Sequence, residues 1–162
     1  MKVFVSHSMK DQSILDGIRN PLKAHGIELL LAEHEIDLKN STTDKIKKMI
    51  ESCHLGLILL TKEGLKSGFV REEIGYLEAK QKPSLIIFEK GVKKMYGGFK
   101  FGCDNVELDP NFPEKAVESV NQILINHWNT LKKKQLAIEQ EQKSALIGLG
   151  ILAGLIVLIA SD

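Results

Sequence analysis

The run LGLILLTKEGLKSGFVREEIGYLEAK, Leu55–Lys80, reads as a strand followed by a helix, and that pair decides the fold. Leu55–Leu60 is apolar at every position. A strand with one wet face alternates, so an unbroken apolar run predicts burial on both faces, as in a parallel sheet covered by helices. In Ser67–Lys80 the apolar residues Val70, Ile74 and Leu77 recur at spacings of four and three, which predicts a helix with one stripe toward the protein body. Glu73 lies beside that stripe and Glu72 points almost the opposite way. One of two adjacent carboxylates is therefore aimed inward, where it needs a partner or a chemical reason. A salt bridge, or attraction to the helix N-terminus, would be a sufficient structural reason.

Strands and helices alternate on both sides of this run. Lys2–Val5 (KVFV) is a short β-rich run ending in Ser6-His7-Ser8. Asp11 or Ser13 can cap the helix that follows, whose stripe is Leu15, Ile18 and Leu22. Pro21 falls inside that pattern, where it kinks the helix or restarts it behind Asn20. Gly26 ends it. Ile27–Ala32 is the second strand, Glu33–Thr42 a polar loop, and the next helix carries Ile46, Met49, Ile50 and Cys53 on one face. Beyond the central pair, Pro83 leads into a fourth strand, Leu85–Phe88. Gly91–Gly102 reads as a loop, and a weak fifth strand lies around Asn105–Leu108.

The expected fold is α/β: a flavodoxin-like five-stranded parallel sheet, order 2-1-3-4-5, with helices on both faces. In such sheets ligands bind at the carboxyl ends of the strands where the order reverses, here between strands one and three. Ser6–Asp11, Thr61–Glu73 and Glu33–Thr42 all leave or adjoin that edge. That address marks Glu73 as a candidate ligand-facing group, because a salt bridge would not need it.

Composition excludes several classes. Hydrophobic residues make up 43% of 162 and charged residues 27%, too apolar for a disordered chain. A net charge of +1 supplies no basic field for nucleic acid. Two cysteines, Cys53 and Cys103, are too few for a disulfide scaffold, and with no secretory signal at the start they read as reduced thiols. No metal-ligand spacing, P-loop or GxSxG occurs.

The end of the chain is a different material. All 22 Lys and Arg lie at or before Lys143, and of 21 acidic residues only Asp162 lies beyond it. A helix starting at Pro113 carries Val117, Val120, Leu124, Trp128 and Leu131, and 127–143 reads as a polar helical linker. Ala145–Ala160, ALIGLGILAGLIVLIA, has no polar side chain. A segment apolar on every side predicts a single membrane-spanning helix over 144–161 in contact with lipid. The lysines on its N-terminal side place the preceding domain in the cytoplasm. Gly150 and Gly154 form a small-xxx-small pair that permits helix association.

Two stretches carry a family resemblance. KVFVSHSMKD resembles the first strand and loop of TIR (Toll/interleukin-1 receptor) domains, and SGFVREEIG resembles their second signature, a Ser, an aromatic, then Glu-Ile-Gly. The resemblance covers residues 1–126. It implies that the domain hydrolyses NAD as a nucleosidase, with Glu73 catalytic and Ser6, His7, Ser8, Asp11 and Phe69 bordering the substrate. NAD is then a substrate, with no separate cofactor and no metal. The resemblance also implies that Glu33–Thr42 is the BB loop, with Ile36, Asp37, Leu38 and Asn40 in self-association. The usual BB-loop glycine is missing and Asn40 stands in its region; Phe69 stands where Trp is common.

Two functions follow from the resemblance. One is a membrane-anchored TIR enzyme that cleaves NAD on self-assembly, giving nicotinamide and ADP-ribose or a cyclic isomer, as a stress or anti-phage defence effector. The alternative is a non-enzymatic TIR adaptor that signals through TIR–TIR contacts at the membrane. A receiver domain on the same fold is disfavoured, since strand one ends without an acidic cluster and strand three without a phosphorylatable Asp.

Overall fold

The apolar runs assemble as their patterns dictate. A computed structural model describes residues 1–31, 42–92 and 104–159, with 143–159 as helix backbone only. In chain order the elements are β1 (Lys2–Ser6), α1 (Gln12–Ala24), β2 (Glu28–Leu31), α2 (Thr42–Ser52), β3 (Leu55–Leu60), α3 (Lys62–Lys66), α4 (Gly68–Ala79), β4 (Ser84–Glu89), β5 (Asp104–Leu108) and α5 (Pro113–Ile159). The strands form one parallel sheet in the order β2-β1-β3-β4-β5, the flavodoxin-like order expected. Its register pairs Val3 with Leu29 and Leu55, and Leu57 with Leu85.

Alternation along each strand sends neighbours to opposite faces. Phe4, Ile58, Leu60, Ile86 and Phe88 pack with Ile50 of α2 and with Val70, Ile74 and Leu77 of α4 in one core. Val3, Val5, Leu57, Leu59, Leu85 and Ile87 are buried as well, as are Leu15, Ile18 and Leu22 of α1 and Ala116, Val120 and Leu124 of α5. All six residues of β3 are buried, which is why that strand has no polar alternate.

Several local expectations change. Pro21 does not restart α1, which runs through it to Ala24. Pro21 is exposed in the last turns, so its missing N–H sits where water can serve the carbonyl left over. Gly26 follows with φ +72°, the left-handed residue that lets the chain turn into β2. Asp11 occupies the N-cap position of α1 but makes no side-chain cap bond. Between the expected strand and helix, the stretch 62–66 forms a short helix of its own, α3, capped by Thr61 Oγ1 accepting from the Gly64 amide at 2.9 Å.

Gly64 is pressed against β3. A Cβ at that position would lie 2.9 Å from the Leu59 carbonyl oxygen, which belongs to backbone and cannot swing aside. Gly64→Ala is expected to destabilise the domain by about 1–3 kcal/mol, the range for overpacking, seen as a lowered thermal midpoint of the full chain. An unchanged midpoint would mean that α3 is not seated on β3 as described.

The chain divides into two units, Met1–Ile125 and Asn126–Asp162. Among the described residues no helix is long and apolar enough to cross a membrane. The side chains of the expected span 144–161, with Gly150 and Gly154, lie outside the described residues, as do Ile36, Asp37, Leu38 and Asn40 of the expected BB loop.

Candidate functional site

Strand β1 ends at Ser6, paired in the sheet with Ile58 of β3. The two chains leaving β1 and β3 thus start side by side at the point where strand order reverses. Ser6, His7, Asp11, Thr61 and Glu73 are all buried polar residues. Burial of that many polar groups at one sheet edge is costly unless they are hydrogen-bonded, and two bonds here join them in pairs, Ser6 with Glu73 and Thr61 with Asp11.

Ser67 begins α4, its side chain accepting from the Val70 amide. The stripe Val70, Ile74 and Leu77 then docks on the sheet and carries Glu73 inward, 3% exposed, while Glu72 faces solvent. The Ser6 hydroxyl donates to Glu73 Oε2 at 2.6 Å. Burial pushes the Glu73 carboxyl up to about 7; the Ser6 hydroxyl works against that shift and the neighbouring Glu72 charge adds to it. The inward glutamate is thus bonded to a serine hydroxyl at the reversal point, and near neutral pH it holds its proton in part.

A second tie joins the same two loops. Thr61 Oγ1 donates to Asp11 Oδ2 at 2.9 Å. Burial raises the Asp11 carboxyl; the Thr61 and Ser8 hydrogen bonds oppose this, and the Glu89 and Glu63 charges add to it. Asp11 is therefore a loop clamp rather than a helix cap. On the surface nearby, Lys10 reaches Glu63 at 2.7 Å and Lys66 reaches the same carboxylate at 2.8 Å. His7 is buried with Nδ1 3.5 Å from the Val5 carbonyl, and Ser8 caps the turn at Met9–Asp11.

Glu73 is also among the residues that line a cleft of about 160 Å³, with Thr43, Ile46, Lys47, Phe69, Glu72 and Tyr76. Phe69 is 54% exposed there. Phe69, Glu73 and Tyr76 recur at spacings of four and three, so α4 presents two rings flanking one carboxylate. Tyr76 is fixed by its hydroxyl donating to Glu51 Oε1 at 2.8 Å, with Lys80 Nζ 5.3 Å and Lys47 Nζ 6.0 Å from its ring centre. Glu73 thus touches Ser6 and shares the lining of the cleft with Phe69. Ser8 and Asp11 lie on the chain that leaves β1, and His7, next to Ser6, is buried.

The α2 side of the cleft, Thr43, Ile46 and Lys47, and the Asp11–Thr61 clamp are not apparent from sequence. Tyr76 was within reach, being one helical turn past Glu73 on the same face. Among the described residues no group of three or more His, Cys, Asp and Glu side chains is gathered to hold a metal ion.

Residues 3–91 match the family described as TIR domain. Clostridium botulinum CMP N-glycosidase, BcmB, superposes with a TM-score of 0.53 at 13% identity, over 75% of this chain and 99% of that one. The TIR domains of the activated Roq1 resistosome, which recognises the effector XopQ, give 0.47 at 18% identity, over 55% of this chain and 57% of theirs. A 2-deoxyribosyltransferase from Bacillus psychrosaccharolyticus gives 0.44 at 10% identity, over 54% of this chain and 72% of that one. No curated protein resembles the chain closely enough in sequence to count as a match.

Proposed function

Since this chain belongs to the TIR domain family, through residues 3–91, we propose that it hydrolyses NAD, with Glu73 as the group that stabilises the reacting ribose. The observation that carries this is the buried Glu73 carboxyl, held by Ser6 at the strand-order reversal, on a residue that lines a cleft together with Phe69 and Tyr76.

The chemistry asks little of the protein. The bond between ribose C1′ and the nicotinamide nitrogen breaks, and its electron pair leaves with nicotinamide, which departs neutral and needs no acid. Positive charge grows on the ribose, as in glycoside hydrolysis. A carboxylate in a water-poor pocket stabilises that charge more strongly than one in solvent. Water then adds to C1′ and loses a proton, giving ADP-ribose; closure by another part of the same nucleotide gives a cyclic isomer. Ser6 orients the carboxylate. Phe69 and Tyr76 offer flat faces to an aromatic ring.

Assembly and address complete the proposal. Self-association through the TIR domain, with Ile36, Asp37, Leu38 and Asn40 in the contact, switches the activity on. The apolar tail 144–161 holds the protein at a membrane, where confinement to a plane raises local concentration. Loss of NAD is toxic to a cell, which suits a defence effector.

The test is nicotinamide release from NAD by the full chain clustered on vesicles, with CMP, the substrate named for the Clostridium botulinum protein, as a parallel arm. Nicotinamide release supports the proposal. Cytosine release alone would replace the substrate, and no turnover of either when clustered would leave a non-enzymatic scaffold. A pH series adds a signature. The charged carboxylate is the active form, so the rate should fall about tenfold per unit below pH 7 and level off above it. A rate flat from pH 5 to 8 would remove Glu73 from the chemistry.

A further inference from the structure

Beyond Ile125 the chain forms its second unit, Asn126–Asp162, composed of α5 and the last residues. Residues 132–142 are all exposed, and the stretch is strongly charged and amide-rich. Such a helix has no need of aligned apolar side chains. Yet Leu131, Gln135, Ile138 and Gln142 follow one another at spacings of four, three and four. Ile138 is 55% exposed. Leu131–Gln142 thus places Leu131 and Ile138 at d and the amides Gln135 and Gln142 at a. That 3.5-residue period is the one by which a helix winds around another helix, and polar a residues are the ones that fix register and direction.

The flanking charges select the partner. Lys134 falls at g and Glu139 at e of the next heptad. In a parallel, in-register pair, g of one helix lies beside that e of the other, so Lys134 of each copy meets Glu139 of its mate. The Gln135 amide already donates to Glu139 Oε1 at 3.2 Å, which sets the carboxylate at the edge of the seam. The a positions select the direction. In register, Gln135 faces Gln135 and Gln142 faces Gln142, and two amides can bond each other. An antiparallel pair puts Gln135 across from Ile138 and Gln142 across from Leu131, which leaves buried amides without partners.

We propose that Leu131–Gln142 of α5 forms a parallel two-stranded coiled coil with a second copy of this chain. It holds two TIR domains side by side before any contact between the domains themselves. The pairing is independent of the reaction proposed above, and its readout is a covalent bond rather than turnover.

The experiment is disulfide trapping on the full chain in mild detergent, with Cys103→Ser as background. Gln135→Cys is expected to form a covalent dimer under oxidation several times faster than Lys133→Cys, whose f position faces outward. Lys134→Glu should lower the trapped fraction, and adding Glu139→Lys should restore it. Equal trapping at 133 and 135 would reduce the dimer to random collision. Trapping only between mixed Gln135→Cys and Ile138→Cys chains would make the pair antiparallel, and no covalent dimer at 135 would remove the coiled coil altogether. Any of these overturns the proposal.

Discussion

Glu73→Gln is expected to lower nicotinamide release from NAD by about 10²–10⁴-fold while leaving the protein folded. The substitution keeps the shape of the side chain and its contact with the Ser6 hydroxyl. It removes only the charge that would face the ribose, and a single preorganised electrostatic group is worth rate factors of that order. The stability effect runs in the opposite direction. The carboxyl sits at about 7 in the fold, against an ordinary value of 4.5. A group raised in this way contributes its full stability below pH 4.5 and loses it as pH climbs through 7. The loss integrates to about 3 kcal/mol. Wild-type stability, measured by denaturant midpoints from pH 5 to 8, should therefore decline with a slope that Glu73→Gln abolishes. An inactive variant with an unaltered pH slope would point to a disturbed site rather than a missing charge. A fully active variant would end the assignment.

Phe4→Ala is expected to cost about 3–5 kcal/mol, the range for deleting a buried aromatic ring. Phe4 is fully buried in β1, between β2 and β3, and packs in the core beneath α2 and α4. Its neighbours in that core include the fully buried Ile50, Ile58 and Val70, which are held in place by their own packing, so a cavity is left. Two residues along the same strand lies Ser6. The variant should therefore weaken the domain and loosen the Ser6–Glu73 contact together, and urea denaturation should show a lower midpoint with an unchanged slope. A loss under about 1 kcal/mol would mean that the sheet can collapse around the gap.

The order of the strands was legible because β1, β3 and β4 are apolar runs too continuous for a wet-faced sheet. Glu73 was legible because helical periodicity separates it from Glu72. What escaped the sequence was short or distant. The five residues of α3 are fewer than periodicity can detect. Asp11 looked like a helix cap because the donor that claims it, Thr61, lies 50 positions away. The α2 wall of the cleft depends on how two helices approach across the sheet, which no local pattern encodes. Of the two readings of Pro21 the restart behind Asn20 is not seen, because an exposed proline late in a helix frees only a carbonyl that water can serve. Ser6, His7, Ser8 and Asp11 follow the first strand and so leave the sheet where its order reverses, but only the fold could show that Ser6 touches the glutamate.

The Asp11–Thr61 hydrogen bond also bears on how this sequence can change over time. Valine at 61 would strand a buried carboxylate and uncap α3; alanine at 11 would leave the hydroxyl only its bond from the Gly64 amide. The two changes share one bond, so the double replacement forfeits it once and costs less than the two single steps added together. Positions 11 and 61 should therefore drift as a couple, each tolerating change only in step with the other. In a library of random variants, the acceptable alphabet at one should depend on the letter held at the other.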